Sequence, residues 1–436
     1  VAIHIGAKIR YKASWIRLAF AAVLVMLIGM QTPAAAVVAA APTASEAVGD
    51  QPSEPAVEAV SKPDVVGESA ILIDGRTGMV LYSKNATEQM YPASITKIVT
   101  AIVALESADV SDTVTVSKDA RWEEGTRVYL EEGEQMSMWQ LLLGMMVNSG
   151  NDAATAIADH IDGSKEKFAE RMNAFVRDKA GAMNSQFRNP HGLPDDEHYT
   201  TAEDMAKIAR YAMQNEKFRE LVGTKKVNWT GETWQTTLIN HNKLLGTYEG
   251  ATGIKNGYTT AAGQTLVASA KRGDMELIGV VLKSPSSDQL YNDMRSMLDY
   301  GFAAFEPKML FDENESYHME GMPNVEYTAE KAIWTVVPKG EEPDILVDTT
   351  GEIHVHTSQG ATIAGHFLVS HNGDEVKMLA ASSSTSDATT AVEKDGGTAG
   401  RTWTLAGTCL IGILAGGTMV YRIRKRNDTT QYRFYK

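Results

Sequence analysis

Hydrophobic and polar positions change their period several times along the chain, and each change marks an element. Ala70-Ile71-Leu72-Ile73-Asp74 and Met79-Val80-Leu81-Tyr82 flank the turn residues Gly75-Arg76-Thr77-Gly78, a pattern that predicts a β-hairpin. Ile95, Ile98, Val99, Ile102, Val103 and Leu105 then follow the turn at Pro92, giving a helix that is apolar on most faces and so expected to be buried. Apolar helices are also expected over 138–147 and over 153–161, joined by Asn148-Ser149-Gly150-Asn151-Asp152. An amphipathic period returns over 168–175 and over 201–213, where Ala202, Met205, Ile208 and Ala212 share a face. From residue 251 the text turns to strands, over 252–259, 264–270 and 276–282, the last two joined by Lys271-Arg272-Gly273-Asp274. Leu290, Met294, Met297 and Leu298 mark a closing helix over 287–300. Hairpin, helices, hairpin and helix in that order predict an α/β domain of the segregated α+β kind, with a central antiparallel sheet flanked by helices, over residues 67–302.

Beyond it the helical period disappears. Alternation in Ile333-Trp334-Thr335-Val336-Val337 and Glu352-Ile353-His354-Val355-His356 predicts a small β-rich domain over 303–378. Glu352, His354 and His356 share one strand face and are of metal-ligating types, but alternating polar residues are the ordinary solvated face of a strand, and no metal is assigned to them. His191 and His198 lack a third ligand at a recognised spacing and are read as structural. No cofactor is implied.

The two ends carry a different signal. Residues 1–41 read as an export signal: Lys8, Arg10, Lys12 and Arg17 precede an apolar run and then small residues, with Pro33 and Ala-x-Ala sites favouring cleavage. Residues 42–66, with Pro42, Pro52, Pro55 and Pro63, form a linker, and the Ser, Thr, Gly and Ala of 379–401 form another. Residues 402–421 are 20 uncharged residues followed by Arg422, Arg424, Lys425 and Arg426. That length and basic flank predict a single transmembrane helix with a cytoplasmic tail over 422–436, leaving the folded part outside the cell membrane.

Composition narrows the function classes. With 43% hydrophobic residues in 436 the chain can bury a sizeable core, and a formal charge of −14 argues against a general nucleic-acid binder, which needs a basic footprint. The single cysteine, Cys409, lies in the predicted span, so disulfides are excluded by count.

The candidate chemistry begins at Ser94-Ile95-Thr96-Lys97. Side chains at i and i+3 share a helix face, so the Lys97 amine can reach the Ser94 hydroxyl and take its proton, making Ser94 a nucleophile. Spacing alone does not choose, because Ser164 and Lys167 repeat it. Ser164 stands in a polar stretch, Asp162-Gly163-Ser164-Lys165-Glu166, where a serine caps a helix. Lys97 instead opens an apolar helix. Two further signals follow: Ser149 and Asn151 in the connection between helices, ordinary turn chemistry when taken alone, and Lys255-Asn256-Gly257 on a strand.

In that order the three signals match the Ser-x-x-Lys, Ser-x-Asn and Lys-Thr-Gly set of penicillin-binding proteins and class A β-lactamases. Over roughly residues 65–302 the chain resembles the D-alanyl-D-alanine carboxypeptidases, the low-molecular-mass penicillin-binding proteins. The supporting text includes 91–100, Val147-Asn148-Ser149-Gly150-Asn151-Asp152-Ala153, 189–193, Thr200-Thr201-Ala202-Glu203-Asp204 and 253–263. The resemblance implies a serine β-lactamase-like fold and an acyl-enzyme on Ser94 that releases the terminal D-alanine of peptidoglycan stem peptides, with β-lactams as covalent inhibitors. It assigns Lys97 as base, Ser149 as proton relay, Asn151 as holder of Lys97 and of the substrate amide, and Lys255 as partner of the substrate carboxylate. Gly257 belongs to the strand motif, and the backbone N–H groups of Ser94 and Tyr258 are implied to form the oxyanion hole. The family's Thr or Ser in the strand motif is Asn256 here, so an amide replaces the hydroxyl donor. Two alternatives stand beside this reading. A β-lactamase would need a second carboxylate to activate water, and no clear motif supplies it; a membrane-bound β-lactam sensor or peptidoglycan-binding protein would acylate without turnover.

Overall fold

A computed structural model describes residues 60–322 and 324–371. The predicted export signal, the span at 402–421, its tail and the linker at 379–401 lie outside these residues. Among the described residues no helix is long and apolar enough to cross a membrane.

The chain opens with β1 (Ser69–Asp74) and β2 (Val80–Lys84), paired as an antiparallel hairpin. A 3₁₀ turn, Ala93–Thr96, runs into α1 (Lys97–Ser107). Then come β3 (Thr113–Thr115), α2 (Lys118–Arg121) and β4 (Gln135–Ser137), followed by α3 (Met138–Val147), α4 (Asn151–Asp162), α5 (Lys165–Asp178) and α6 (Ala202–Ala212). Next are α7 (Glu216–Gly223), the hairpin β5 (Lys226–Thr230) and β6 (Gln235–Ile239), and α8 (Leu244–Thr247). The three long strands β7 (Ala251–Thr259), β8 (Gly263–Arg272) and β9 (Met275–Ser284) precede α9 (Ser287–Ala304).

These strands assemble as a five-stranded sheet in the order β2-β1-β9-β8-β7, with every pairing antiparallel. Its two faces build two cores, because successive side chains of a strand point to opposite sides. Ile71, Ile73, Val267, Ile278 and Val280 face α1, α3, α4 and α6, whereas Ala70, Leu72, Leu266, Leu277 and Val281 face α9. Close approach of α9 requires a small residue: a Cβ at Gly279 would stand 2.5 Å from Met294 Sδ. The sheet buries its centre and leaves β7 as an edge strand.

The helices start where side chains can satisfy their unpaired N–H groups. Ser137 and Gln140 form a capping box on α3, and Thr201 accepts from the Asp204 N–H at the start of α6. Ser164 accepts from the Lys167 N–H at 3.3 Å, so the second Ser-x-x-Lys pair is a helix cap. Boundaries differ from the sequence reading in one place that matters: α4 begins at Asn151, so Asn151 is its first residue and only Ser149 and Gly150 remain in the turn. Over 214–250 periodicity carries no assignment, yet α7, β5, β6 and α8 form there, short elements whose order comes from packing of Phe218, Trp229 and Leu244.

Among the described residues the elements after α9 are strands: β10 (Phe305–Phe311), β11 (Ser316–Tyr317), β12 (Val325–Thr328), β13 (Ile333–Pro338), β14 (Asp344–Val347), β15 (Glu352–Thr357), β16 (Gly360–His366) and β17 (Leu368–His371). They make three small sheets, β10-β13, β11-β12-β17 and β14-β15-β16, around Tyr327, Ile333, Ile353, Val355 and Phe367. Aromatic rings fill the space, Phe311 and Phe367 lying 4.7 Å apart edge to face. Val336 belongs instead to the α9 core, and the Arg76 guanidinium sits 3.9 Å over the Trp334 ring. These contacts join the β-rich part to the five-stranded sheet.

Candidate active site

The Ser94 turn is held in an unusual shape. Ala93, immediately before Ser94, has φ of 53°, and Ser149 has φ of 65°, both in the left-handed region that residues with a Cβ adopt at a cost. Two neighbours press on the turn from outside. Gly192 at φ 89° lies so close that an added Cβ would stand 1.9 Å from the Ala93 carbonyl oxygen, and a Cβ on Gly257 would stand 2.6 Å from the Ser94 nitrogen. Thr265 Oγ1 on β8 donates to the Pro92 carbonyl at 2.9 Å. Backbone from the 189–193 loop and the β7 edge therefore packs directly against the nucleophile's own peptide.

Lys97 is the centre of the hydrogen bonding. It is fully buried, and its Nζ lies 2.7 Å from Asn151 Oδ1, 2.7 Å from the His191 carbonyl oxygen and 3.2 Å from Ser94 Oγ. An ammonium satisfies all three partners with its three N–H donors. A neutral amine has two donors and a lone pair. The two short contacts are to carbonyl oxygens, which only accept, so they claim both donors and leave the lone pair facing the Ser94 hydroxyl. That is the geometry of a general base.

Burial, followed by the positive charge of Lys255, pushes the Lys97 amine well below its ordinary value, opposed in part by Asp152 and Glu123. Lys255 is itself buried, which lowers it to about 7. Lys255 Nζ donates to the Asn256 carbonyl at 2.9 Å and lies 3.4 Å from Asn256 Oδ1. Lys255 and Gly257 alternate with Asn256 along β7 and so share the face that meets the Ser94 turn. Tyr258 is exposed at the strand edge.

The supports beneath these groups were not singled out as functional from sequence. Asn151 Nδ2 donates to the Glu124 carbonyl at 2.6 Å, which turns its Oδ1 toward Lys97. Buried Asp152 accepts from the Val128 N–H at 3.0 Å and the Leu130 N–H at 3.2 Å, holding the same loop. Hydrogen bonds to a charged group contribute about 1.5–3 kcal/mol each. Glu123 accepts from Thr155 at 2.7 Å and Lys165 at 2.8 Å. Burial would raise its carboxyl, but His191, Lys165 and Thr155 outweigh that and hold it well below the carboxylate range. His191 Nε2 stands 3.3 Å from Glu123 Oε2 without the alignment of a hydrogen bond. His191 thus meets Lys97 through its backbone carbonyl. His198 Nε2 pairs with Thr96 Oγ1 at 2.9 Å, and burial lowers its ring to about 3. The run Asn189-Pro190-His191-Gly192-Leu193 was the available signal: Asn189 Oδ1 accepts from the Gly192 N–H at 2.7 Å and closes the loop that brings both His191 O and Gly192 to the site.

The structure thus brings Ser94, Lys97 and Asn151 into direct contact and lays Gly257 against Ser94. Lys255 acts on Lys97 through charge, Asn256 touches Lys255, and Ser149 adjoins the site through the turn before Asn151.

The chain matches the family profile described as D-alanyl-D-alanine carboxypeptidase over residues 56–286. It is 34% identical over 310 residues to D-alanyl-D-alanine carboxypeptidase DacF of Bacillus subtilis, covering 68% of this chain and 78% of that protein. Among solved structures it is similar to penicillin binding protein 5 from Haemophilus influenzae, at TM-score 0.65 and 28% identity, over 72% of this chain and 98% of that one. The Streptomyces K15 DD-transpeptidase matches at TM-score 0.53 and 32% identity over 56% of this chain and 100% of its own. Motif order, site geometry and sequence agree, and the chain belongs to the D-alanyl-D-alanine carboxypeptidase family of serine peptidases.

Proposed function

We propose that Ser94 attacks the carbonyl between the two terminal D-alanines of a peptidoglycan stem peptide while neutral Lys97 accepts its proton. The observation that carries this reading is the set of three contacts at Lys97 Nζ, which leaves a lone pair only for Ser94. The resulting oxyanion is received by the Ser94 and Tyr258 backbone N–H groups, where a single donor is typically worth about 3 kcal/mol. Ser149 passes a proton to the leaving amine, the peptide C–N bond breaks, and D-alanine departs. Water, losing its proton to Lys97, then cleaves the Ser94 ester. Lys255 attracts the terminal carboxylate, whose negative charge raises Lys255 again and keeps it protonated. The Asn256 amide donates where the family has a hydroxyl, and β7, as an edge strand, offers backbone groups to an extended peptide. A β-lactam enters the same position and stays as a slow acyl-enzyme.

The cellular setting is part of the proposal. The uncharged run 402–421 and its basic flank support a single-pass anchor in the cell membrane, and residues 1–41 support export, so the peptidase would act outside the membrane with the 303–378 unit between it and the anchor. The test uses the full chain in detergent. It should release D-alanine from a pentapeptide ending in D-Ala-D-Ala, and mass spectrometry after penicillin treatment should place the label on Ser94. A label on another residue overturns the assignment, and labelling without D-alanine release returns the sensor reading.

A further inference from the structure

We infer that Asp348, Glu352, His354 and His366 form a binding site for a divalent transition-metal cation of the Zn²⁺ type, on the β14-β15-β16 sheet and apart from the peptidase site. The donor atoms of Asp348, Glu352 and His354 all lie within 4.8 Å of one another. His354 Nε2 is 3.1 Å from Glu352 Oε1 and 3.8 Å from Asp348 Oδ2, and His366 Nε2 is 3.8 Å from Glu352 Oε2. A tetrahedral ion with bonds of about 2.0–2.1 Å needs its ligand atoms roughly 3.3 Å apart, so small side-chain rotations close Asp348, Glu352 and His354 around it. His366, which lies outside that group of three and approaches Glu352 alone, must turn in from β16 as the fourth ligand.

The frame around these groups is built, not incidental. Ile353 and Val355 alternate with Glu352 and His354 and are fully buried, which locks the polar face of β15 outward. Glu352 and His366 are direct cross-strand partners in the β15–β16 ladder. Asp348 joins from the turn before β15, and its Oδ1 already accepts from the Thr350 N–H at 2.9 Å, Thr350 Oγ1 at 2.7 Å and the Glu352 N–H at 2.9 Å. That leaves Oδ2 turned toward His354, a carboxylate ligand held by its own hydrogen bonds as metal ligands generally are. Gly351, at φ 86°, packs against Phe367 O and Val369, so the turn is seated on the neighbouring strands. His356 lies on the same face but is exposed and paired across the ladder with Asp344, outside the group.

Two imidazoles and two carboxylates suit zinc and its neighbours in the transition series; magnesium and calcium prefer oxygen-only shells. A bound cation ties the 348–351 turn to β15 and β16 and stabilises the β-rich part without touching Ser94. Without metal the same side chains stand as a polar cluster on the strand face, 3.1–3.8 Å apart, which is the competing outcome.

Calorimetric titration of the untagged full chain with Zn²⁺ alone should show one saturable equivalent and a raised melting temperature. His354→Ala and His366→Ala should each weaken binding by about tenfold or more, and Glu352→Gln, which preserves shape, should do the same. His356→Ala should bind as the parent does, and Mg²⁺ should not compete. Every variant should keep penicillin acylation at Ser94. Absence of saturable binding, or binding unchanged by His354→Ala and Glu352→Gln, overturns the site.

Discussion

Two serine–lysine pairs with the same spacing stand about 70 residues apart in this chain and do different things, at Ser94/Lys97 and Ser164/Lys167. At Ser164 the hydroxyl accepts the Lys167 backbone N–H at 3.3 Å and begins an amphipathic helix that buries Phe168 and Met172. At Ser94 the hydroxyl meets the lysine amine itself, because Lys97 is buried and two carbonyl-type acceptors fix its direction. The i, i+3 relation supplies reach in both. Only the loops at 124–130 and 189–193 and the β7 edge make one of them chemical.

The largest expected effect separates the pairs outright. Ser94→Ala should abolish both the penicillin adduct and D-alanine release, while Ser164→Ala should retain both, as read by mass spectrometry and an amine assay. Next, Lys97→Met should lower the acylation rate by about 10²–10⁴-fold, the usual worth of a positioned general base, and Lys167→Met should leave it unchanged. A large loss at Lys167 would break the comparison.

Lys255 sharpens it through pH. Its folded value is about 7 against 10.5 for a free lysine, so the unfolded chain binds the extra proton between these limits. Stability therefore rises with pH across that window, and below about 7 the native state carries the full cost of a buried charge. Lys255→Met should raise the unfolding free energy at pH 6 by on the order of a few kcal/mol, read by chemical denaturation, and the gain should shrink toward pH 10. A gain independent of pH would mean packing, not charge, sets it. The same variant should bind substrate poorly, since the carboxylate loses its partner. Acylation by the parent should rise on the acid side as Lys97 becomes neutral and fall on the alkaline side as Lys255 loses its proton.

The smallest effects are local. Asn256→Thr should lower KM several-fold with kcat little changed, since a hydroxyl donor replaces the longer amide. Ser164→Ala should cost about 1 kcal/mol in chemical denaturation, the ordinary worth of a helix cap.

Much of the frame was legible from particular residues. The runs Ala70 to Asp74 and Met79 to Tyr82 around Gly75 to Gly78 announce a hairpin, the Met138 to Val147 run announces a helix packed on most sides, and the order of Ser94, Ser149 and Lys255 points to the family. Asn151 was placed in a turn because Ser-Gly-Asn is turn chemistry, yet it is the first residue of α4, where its amide bridges Lys97 and Glu124 O. His191 gave no usable signal as a side chain because its contribution is a backbone carbonyl, which any residue carries. In the β-rich part, Glu352, His354 and His356 were visible as one strand face, but which donors converge depended on register and on a turn. Asp348 and His366 replace His356.

What the sequence alone determined is what local period and residue type can carry: the strands and helices, the candidate nucleophile and amine, and the family to which they belong. Tertiary structure decided which serine has a lysine lone pair in front of it. Lys97 is driven toward neutrality by burial and by Lys255, a residue 158 positions away in the chain, and desolvation and charge repulsion between such distant groups exist only once the sheet edge closes on the Ser94 turn.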